Sequence, residues 1–247
     1  MPVHESASRG FERQADAYER GRPAYPQQAT EWLTTALGLG PGRTVVDVGA
    51  GTGKLTRALL SSGAQVVAVE PVTAMRGVLS RELPTVRVLD GTAESLPLTD
   101  GAAEAIVVGQ AFHWFDQPAA LAEFHRVLVP GGRLGLVWNV RDRMQELQRA
   151  IDEITEPLRG DAPSHAGGEW RVAVGSSALF TPVEQSSVPF ALELDSDTFV
   201  DRIGSISFIA ALDDPQREQV LERVRRLAAE HPEPWSYVTE LLVYERS

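Results

Sequence analysis

With 247 residues, the chain is long enough to bury a sizeable core in one α/β domain with a modest extra layer. Its 43% hydrophobic and 23% charged residues exclude disordered and fibrous classes, and the absence of cysteine excludes disulfides, thiolate nucleophiles and cysteine metal sites. A net charge of −11 argues against a broad affinity for nucleic acid or anionic membranes, because phosphate binding draws on clustered Lys and Arg.

In chain order, the first forty residues read as a small helical piece around "YERGRPAYP". The opening "MPVHESASRGFERQ" has no apolar stretch behind its charges, and no later apolar run approaches the roughly eighteen residues of a membrane span. Neither a signal peptide nor a membrane segment is expected, and the expected location is the cytoplasm. From Thr44 short apolar runs alternate with helical patterns: "TVVDV", "KLTRALLSSG", "QVVAVE", "TAMRGVLSREL" and "VRVL". This rhythm predicts consecutive right-handed βαβ units and a parallel sheet covered on both faces.

"EAIVVGQ" and "RLGLVWN" continue the series as fourth and fifth strands. Between them a helix is well signalled: Asp116 caps it, Pro118 suits its first turn, Leu121, Phe124 and Leu128 share a face, and "PGG" from Pro130 stops it. His125 on that helix reads as a surface residue. After Asn139 the rhythm breaks, and "DRMQELQRAIDEITEPLRG" predicts one long helix followed by a loop over Asp161 to Gly168. Two late strands, "VPFALEL" and "SYVTELLVYER", flank the helical stretches "DTFVDRIGSISFIAAL" and "PQREQVLERVRRLAAEH". The arginines between Leu221 and Leu227 read as the solvated face of the second stretch.

The chemistry-bearing stretch is "VVDVGAGTGKLTRALL". A P-loop needs glycine where Val48 stands and Ser or Thr where Leu55 follows Lys54, so that reading fails twice, and Lys54 is expected only to open a helix on the exposed side. The dinucleotide fingerprint needs one more residue between the last two glycines than Gly49, Gly51 and Gly53 provide. Three other features point to a nucleoside pocket. Asp47 lies inside the first strand, where a buried carboxylate needs partners. Glu70 ends the second strand, where an acid accepts hydrogen bonds from ribose hydroxyls. "GTAESLPL", Gly91 to Leu98, places a polar turn at the carboxyl edge of the sheet, where ligands gather.

Together with "VEPVTAM", "AIVVGQAFHWFD" and "RVLVPGGRLGLVWN", these motifs resemble the class I S-adenosylmethionine-dependent methyltransferases. The resemblance is to their small-molecule group, which includes ubiquinone-biosynthesis-type and trans-aconitate-type enzymes, and it spans about Phe11 to Asn139 by motif. It implies a Rossmann-like, mostly parallel seven-stranded sheet with helices on both faces, a reversed strand near the C-terminus and a small helical cover. It further implies a single domain over 1–247: a cap over the cofactor at 1–40, the cofactor-binding core at 41–140, a substrate cover including a late strand at 141–212, and a final helix and strand at 213–247.

The cofactor implied is S-adenosyl-L-methionine. Asp47, Gly49, Ala50, Gly51 and Gly53 would belong to its methionyl side, Glu70 to the ribose, Pro71 and Met75 to the borders of the adenine, and Thr92, Ala93 and Glu94 to its edge. Thr92 stands where many relatives carry Asp, so Glu94 or a backbone amide would replace that bond. Gln110 and Ala111 would meet the methionyl amino group through backbone carbonyls, and Tyr18 and Arg22 would cover the cofactor and pair with its carboxylate.

Methyl transfer from a sulfonium is an in-line displacement, so alignment supplies most of the acceleration and a base is optional. His113 is the candidate base, because imidazole titrates near neutral pH and the residue follows the fourth strand by three positions; the alternative is a histidine that hydrogen-bonds locally and shapes its loop. Trp114 would wall the pocket and Asn139 would orient a polar acceptor, while Trp170, Ser205, Ser207 and Phe208 fall in the cover. No metal ligands are expected. The partner expected is a small-molecule methyl acceptor rather than nucleic acid or membrane. A non-catalytic cofactor-binding protein and a nicotinamide oxidoreductase are the alternatives; the shortened glycine spacing and the antiparallel-looking ending count against the second.

Overall fold

The computed structural model describes residues 21–193, 195–231 and 234–247. Helix α1 (Gln27–Ala36) leads to strand β1 (Thr44–Val48), helix α2 (Lys54–Leu59), strand β2 (Gln65–Val69), helix α3 (Thr73–Glu82) and strand β3 (Arg87–Leu89). Strand β4 (Ala103–Gly109), helix α4 (Gln117–Val127) and strand β5 (Leu128–Arg141) complete the alternating part. Helices α5 (Glu146–Thr155) and α6 (Glu169–Gly175) precede strand β6 (Phe180–Leu192). Helices α7 (Ser196–Gly204), α8 (Ser207–Ala210) and α9 (Asp214–Glu230) then lead to strand β7 (Trp235–Arg246).

The seven strands form one sheet in the order β3-β2-β1-β4-β5-β7-β6. Strands β1 to β5 pair in parallel, and β7 runs antiparallel to both β5 and β6. This is the Rossmann-like sheet with one reversed strand that the motifs implied. Its topological switch lies between β1 and β4, where successive connections leave in opposite directions; in an open α/β sheet a crevice for ligands forms there, beyond the carboxyl ends of the strands. The features at those ends are Gly49 and Gln110.

Alternation along β1 sends Val46 and Val48 into one core layer, with Leu121 and Phe124 of α4. Val45 enters the other layer, with Leu33 of α1 and Leu55 and Leu59 of α2. A third core joins α5, α7, α8 and α9 over β7 through Ile151, Ile203, Ile209, Val224, Trp235 and Tyr237. That core is the helical cover, and no described helix is long and apolar enough to cross a membrane.

The elements after Asn139 differ from expectation in detail. The predicted long helix begins only at Glu146, because Arg141 still pairs with Tyr237 across the sheet and Asp142 closes a turn on the Met144 amide at 2.9 Å. Beyond Thr155 it tightens into a 3-10 turn containing Pro157. Helix α6 forms immediately after the predicted loop, with Trp170 buried. The stretch over 197–212 breaks after Gly204, where the Ser205 hydroxyl donates to the Arg202 carbonyl. Strand β6 starts at Phe180 instead of Val188; its first half, "FTPVEQSS", is a polar, Pro-containing edge strand that carries no alternating signal.

Two glycines test this packing from opposite directions. A Cβ on Gly53, at φ 91°, would lie 2.9 Å from Leu79 Cγ, so Gly53→Ala is expected to destabilise by about 2 kcal/mol or more in urea unfolding. Gly77 sits inside α3 with open space where a Cβ would go, so Gly77→Ala is expected to stabilise by about 0.5–1 kcal/mol in the same assay.

Candidate functional site

Asp47 is 1% exposed, on the α2 side of β1. The Thr56 hydroxyl donates to its Oδ2 at 2.6 Å, while Oδ1 is shielded and has no hydrogen-bond partner. Burial raises the Asp47 pKa to about 7, against the pull of the Thr56 bonds. Glu70 is 4% exposed at the end of β2. Its Oε2 accepts the Gly51 amide at 2.9 Å and its Oε1 the Val72 amide at 2.8 Å. Burial pushes its pKa up while these two amides hold it down. The carboxylate thus pins the glycine turn and retains further lone pairs.

Gly49 and Gly51 turn the chain at φ 68° and 59°. Ala111 and Phe115 close on Gly49, and the buried Met75 borders Gly51. Gly53, expected with the other two to let the backbone approach a ligand, packs instead against Leu79 and Leu83. Pro71 is half-buried and, like Glu70, offers its carbonyl to Arg76 Nη1. Across the turn after β3, Thr92 pairs with Ser95, Ala93 is buried, and Glu94 Oε1 accepts the Asp116 amide at 2.9 Å. That carboxylate therefore already ties the turn to the start of α4.

Two cavities meet at the switch point. The first is bounded by Asp47, Gly49, Ala50, Gly51, Tyr25 and Thr52 among others, and also by Lys54. Lys54 is half-buried there rather than merely the exposed start of a helix. The second lies under the cover and is bounded by His113, Trp114, Trp138, His165, Ser207 and Phe208 together with arginines. Arg22, Gln110, Asn139 and Arg202 border both. Gln110 holds φ 61°, a conformation that costs a non-glycine residue and that concentrates at ligand sites. Its amide donates to the Val137 carbonyl at 2.8 Å, which fixes the turn.

His113 and Asn139 both make hydrogen bonds within the protein. The indole N–H of Trp138 points to His113 Nδ1 at 3.4 Å. An indole nitrogen only donates, so Nδ1 carries no proton and the neutral ring carries its hydrogen on Nε2. Burial, followed by the positive charge nearby, lowers the His113 pKa to about 3. With that lone pair engaged by the indole and its basicity lowered, the ring presents Nε2–H as a donor. Asn139, 8% exposed, accepts from Thr239 Oγ1 at 2.7 Å and donates to the Ala24 carbonyl at 3.3 Å. It joins β5, β7 and the amino-terminal segment, with one lone pair of its side-chain oxygen engaged by Thr239.

Trp138, Trp170 and His165 form a stack, with the two indoles 4.1 Å apart and His165 4.9 Å from Trp138. His165 is tied to Glu240 at 3.1 Å. Arg22 donates to the Ser205 carbonyl at 3.4 Å. Tyr18 lies outside the described residues. Sequence reasoning missed Arg141, Arg143, Arg159, Arg202 and His165; "VRDRM", directly after the fifth strand, was the available signal for the first two. Among the described residues no group of three or more His, Asp or Glu is arranged to hold a metal ion.

Residues 46–136 match the model of the methyltransferase domain family. An uncharacterised methyltransferase of Mycobacterium tuberculosis is 42% identical over 216 residues, 87% of this chain and 84% of the relative. A protein of Anaeromyxobacter dehalogenans described as a type II methyltransferase superposes with a TM-score of 0.64 at 22% identity, over 91% of this chain and 97% of that one. A geranyl diphosphate methyltransferase, in complex with GPP and sinefungin, superposes with a TM-score of 0.53 at 22% identity, covering 88% of this chain and 76% of that one. The two structural likenesses show the fold.

The half-answered carboxylate has a stability signature. Because the folded pKa of Asp47, about 7, exceeds its ordinary 3.8, the folded state holds the proton more tightly, and stability falls as pH rises between those values. Asp47→Asn, which keeps an oxygen for Thr56, is expected to raise Tm by a few degrees at pH 8 and by less at pH 5 in differential scanning calorimetry.

Proposed function

The chain belongs to the methyltransferase family, and we propose that it moves the methyl group of S-adenosylmethionine to a small molecule by in-line displacement. The observation that carries this reading is the meeting of two cavities at Gln110 and Asn139, one built around a buried acid and a glycine turn, the other under a separate cover. One has the chemistry of a donor site, the other that of an acceptor site.

The residues fit the cofactor on a specific ground. Asp47 Oδ1 is a buried oxygen awaiting a donor, which the ammonium of an amino acid would supply. Gly49, Ala50 and Gly51 let the main chain approach the methionyl part, and Glu70 has lone pairs left for ribose hydroxyls. Pro71 and Met75 border the adenine, with Thr92, Ala93 and Glu94 at its edge. Gln110 and Ala111 offer carbonyls to the amino group. Arg22, with Tyr18 on the amino-terminal cap of residues 1–40, pairs with the carboxylate. When bound, S-adenosylmethionine supplies an electrophilic methyl on a sulfonium whose departure leaves a neutral thioether.

Catalysis by this chain then consists of placement and of a dry, polar surround. Trp114 and Trp138 wall the acceptor and exclude water. His113 donates from Nε2 and orients the acceptor without taking its proton. The acceptor atom therefore reaches the junction already nucleophilic. Residues 141–212 form the cover that sets the acceptor's shape, and the net charge of −11 supports a small molecule rather than nucleic acid.

Labelled S-adenosylmethionine incubated with pooled metabolites is expected to transfer label to a small molecule, and S-adenosylhomocysteine is expected to raise Tm where NADH does not. Label in no pool, with a Tm that rises only with NADH, would overturn the reading. With the acceptor in hand, kcat at saturation is expected to stay flat from about pH 6 to 9. His113→Gln, which keeps an N–H donor, is expected to retain more activity than His113→Phe, which should lose roughly tenfold. A kcat that falls with a single ionisation near pH 6.5 in the wild type and not in either variant would restore His113 as a base.

A further inference from the structure

Among the described residues, five arginines, Arg22, Arg141, Arg143, Arg159 and Arg202, and no aspartate or glutamate border the acceptor cavity. In a chain of net charge −11 such a concentration of one sign is a local device. The protein answers part of it. Glu156 accepts from Arg159 at 2.6 and 2.8 Å, and Arg143 lies 3.7 Å from Asp152.

Arg141 and Arg202 differ. Nη1 of each is shielded from solvent and has no hydrogen-bond partner among the described residues. Arg202 is only 4% exposed; its Nε donates to Tyr237 Oη at 3.3 Å, and its guanidinium lies 5.8 Å from the Trp235 ring centroid. Arg141 ends β5 in register with the same Tyr237. Burial, and next the charge of Arg202, pull the Arg141 pKa down to about 10. Arg202 is buried and Arg141 half-buried, and two neighbouring cations with shielded, unused donors are costly alone and favourable around an anion.

Resting on the methyltransferase reading, we propose that Arg141 and Arg202 are a specificity-determining clamp for an oxyanion, carboxylate or phosphate, that the methyl acceptor carries. A guanidinium fork matches either group with two parallel N–H bonds, whereas a neutral amide or hydroxyl leaves the charge unanswered. Arg202 also borders the cofactor cavity, so the anionic handle fixes the acceptor close to the junction. Trp114, Trp138 and Phe208 give the body of the acceptor apolar walls. The clamp thus selects small organic anions with a flat or aliphatic body.

The test is calorimetric titration of the full chain, saturated with S-adenosylhomocysteine, in a buffer free of oxyanions. The probes are succinate and benzoate for carboxylates, inorganic phosphate and phenyl phosphate for phosphates, and succinamide and benzamide as neutral counterparts. The expected result is binding of at least one charged probe about tenfold or more tighter than its neutral counterpart. That preference is expected to be lost in Arg141→Gln and partly kept in Arg141→Lys, with S-adenosylhomocysteine affinity unchanged in both and folding verified by circular dichroism. Preference for the carboxylate or the phosphate pair identifies the source of the anion.

Equal binding of charged and neutral probes, no binding of any charged probe, or a charge preference that survives Arg141→Gln would overturn the clamp. If Arg141→Gln does not fold, Arg141→Lys decides: a lowered preference supports the clamp and an unchanged one overturns it. Failure of S-adenosylhomocysteine to bind the wild type would instead overturn the methyltransferase reading of the site, and the probes titrated against the free chain would still decide the clamp.

Discussion

The Thr56 hydroxyl meets Asp47 at 2.6 Å, and the other oxygen of that carboxylate has no hydrogen-bond partner among the described residues. Burying a carboxylate in the interior of a parallel sheet is unfavourable, and one hydrogen bond offsets only part of the cost. Much of the donor side is consistent with this single constraint. The chain leaves β1 through glycines at positive φ, α2 lies over the acid, and Glu70 on the next strand fixes the turn through the Gly51 amide. The remaining oxygen is the invitation to a ligand, and an ammonium is the group that answers it best.

The acceptor side repeats the logic with the opposite charge. Arg202 is buried and Arg141 half-buried, each with a shielded Nη1 donor unused among the described residues, as Asp47 is buried with an unused acceptor. Between the two lies Gln110, strained at φ 61° and anchored to Val137, at the point where connections leave the sheet in opposite directions. The chain therefore holds an unanswered negative charge on one side of the switch point and unanswered positive charge on the other. The proposed zwitterionic donor and anionic acceptor would satisfy both, turning stability lost by the free protein into binding energy.

The sheet was legible from residues because its strands are buried on both faces and read as short apolar runs, and because Asp116 and Pro118 mark the start of α4 as the structure has it. Gly49, Gly51, Asp47 and Glu70 were legible for the same reason: each breaks a local pattern. The polar first half of β6 breaks none, since an edge strand needs no apolar alternation. His113 was legible but its partner was not, because the indole that meets its Nδ1 comes from Trp138 on β5, a partnership that spacing does not encode. Arg141, Arg159 and Arg202 come from three separate elements, and each alone reads as a solvated charge.

The central claim is that the cavity around Asp47 and the glycine turn holds S-adenosylmethionine beside the arginine-lined cleft. A crystal structure of the chain grown with S-adenosylhomocysteine measures this directly. The expected result is the amino-acid part over Gly49 to Gly51 with its ammonium near Asp47, the ribose on Glu70, and the thioether sulfur turned toward Gln110 and the cleft. Density for the ligand elsewhere, or with its sulfur turned away from the cleft, would contradict it.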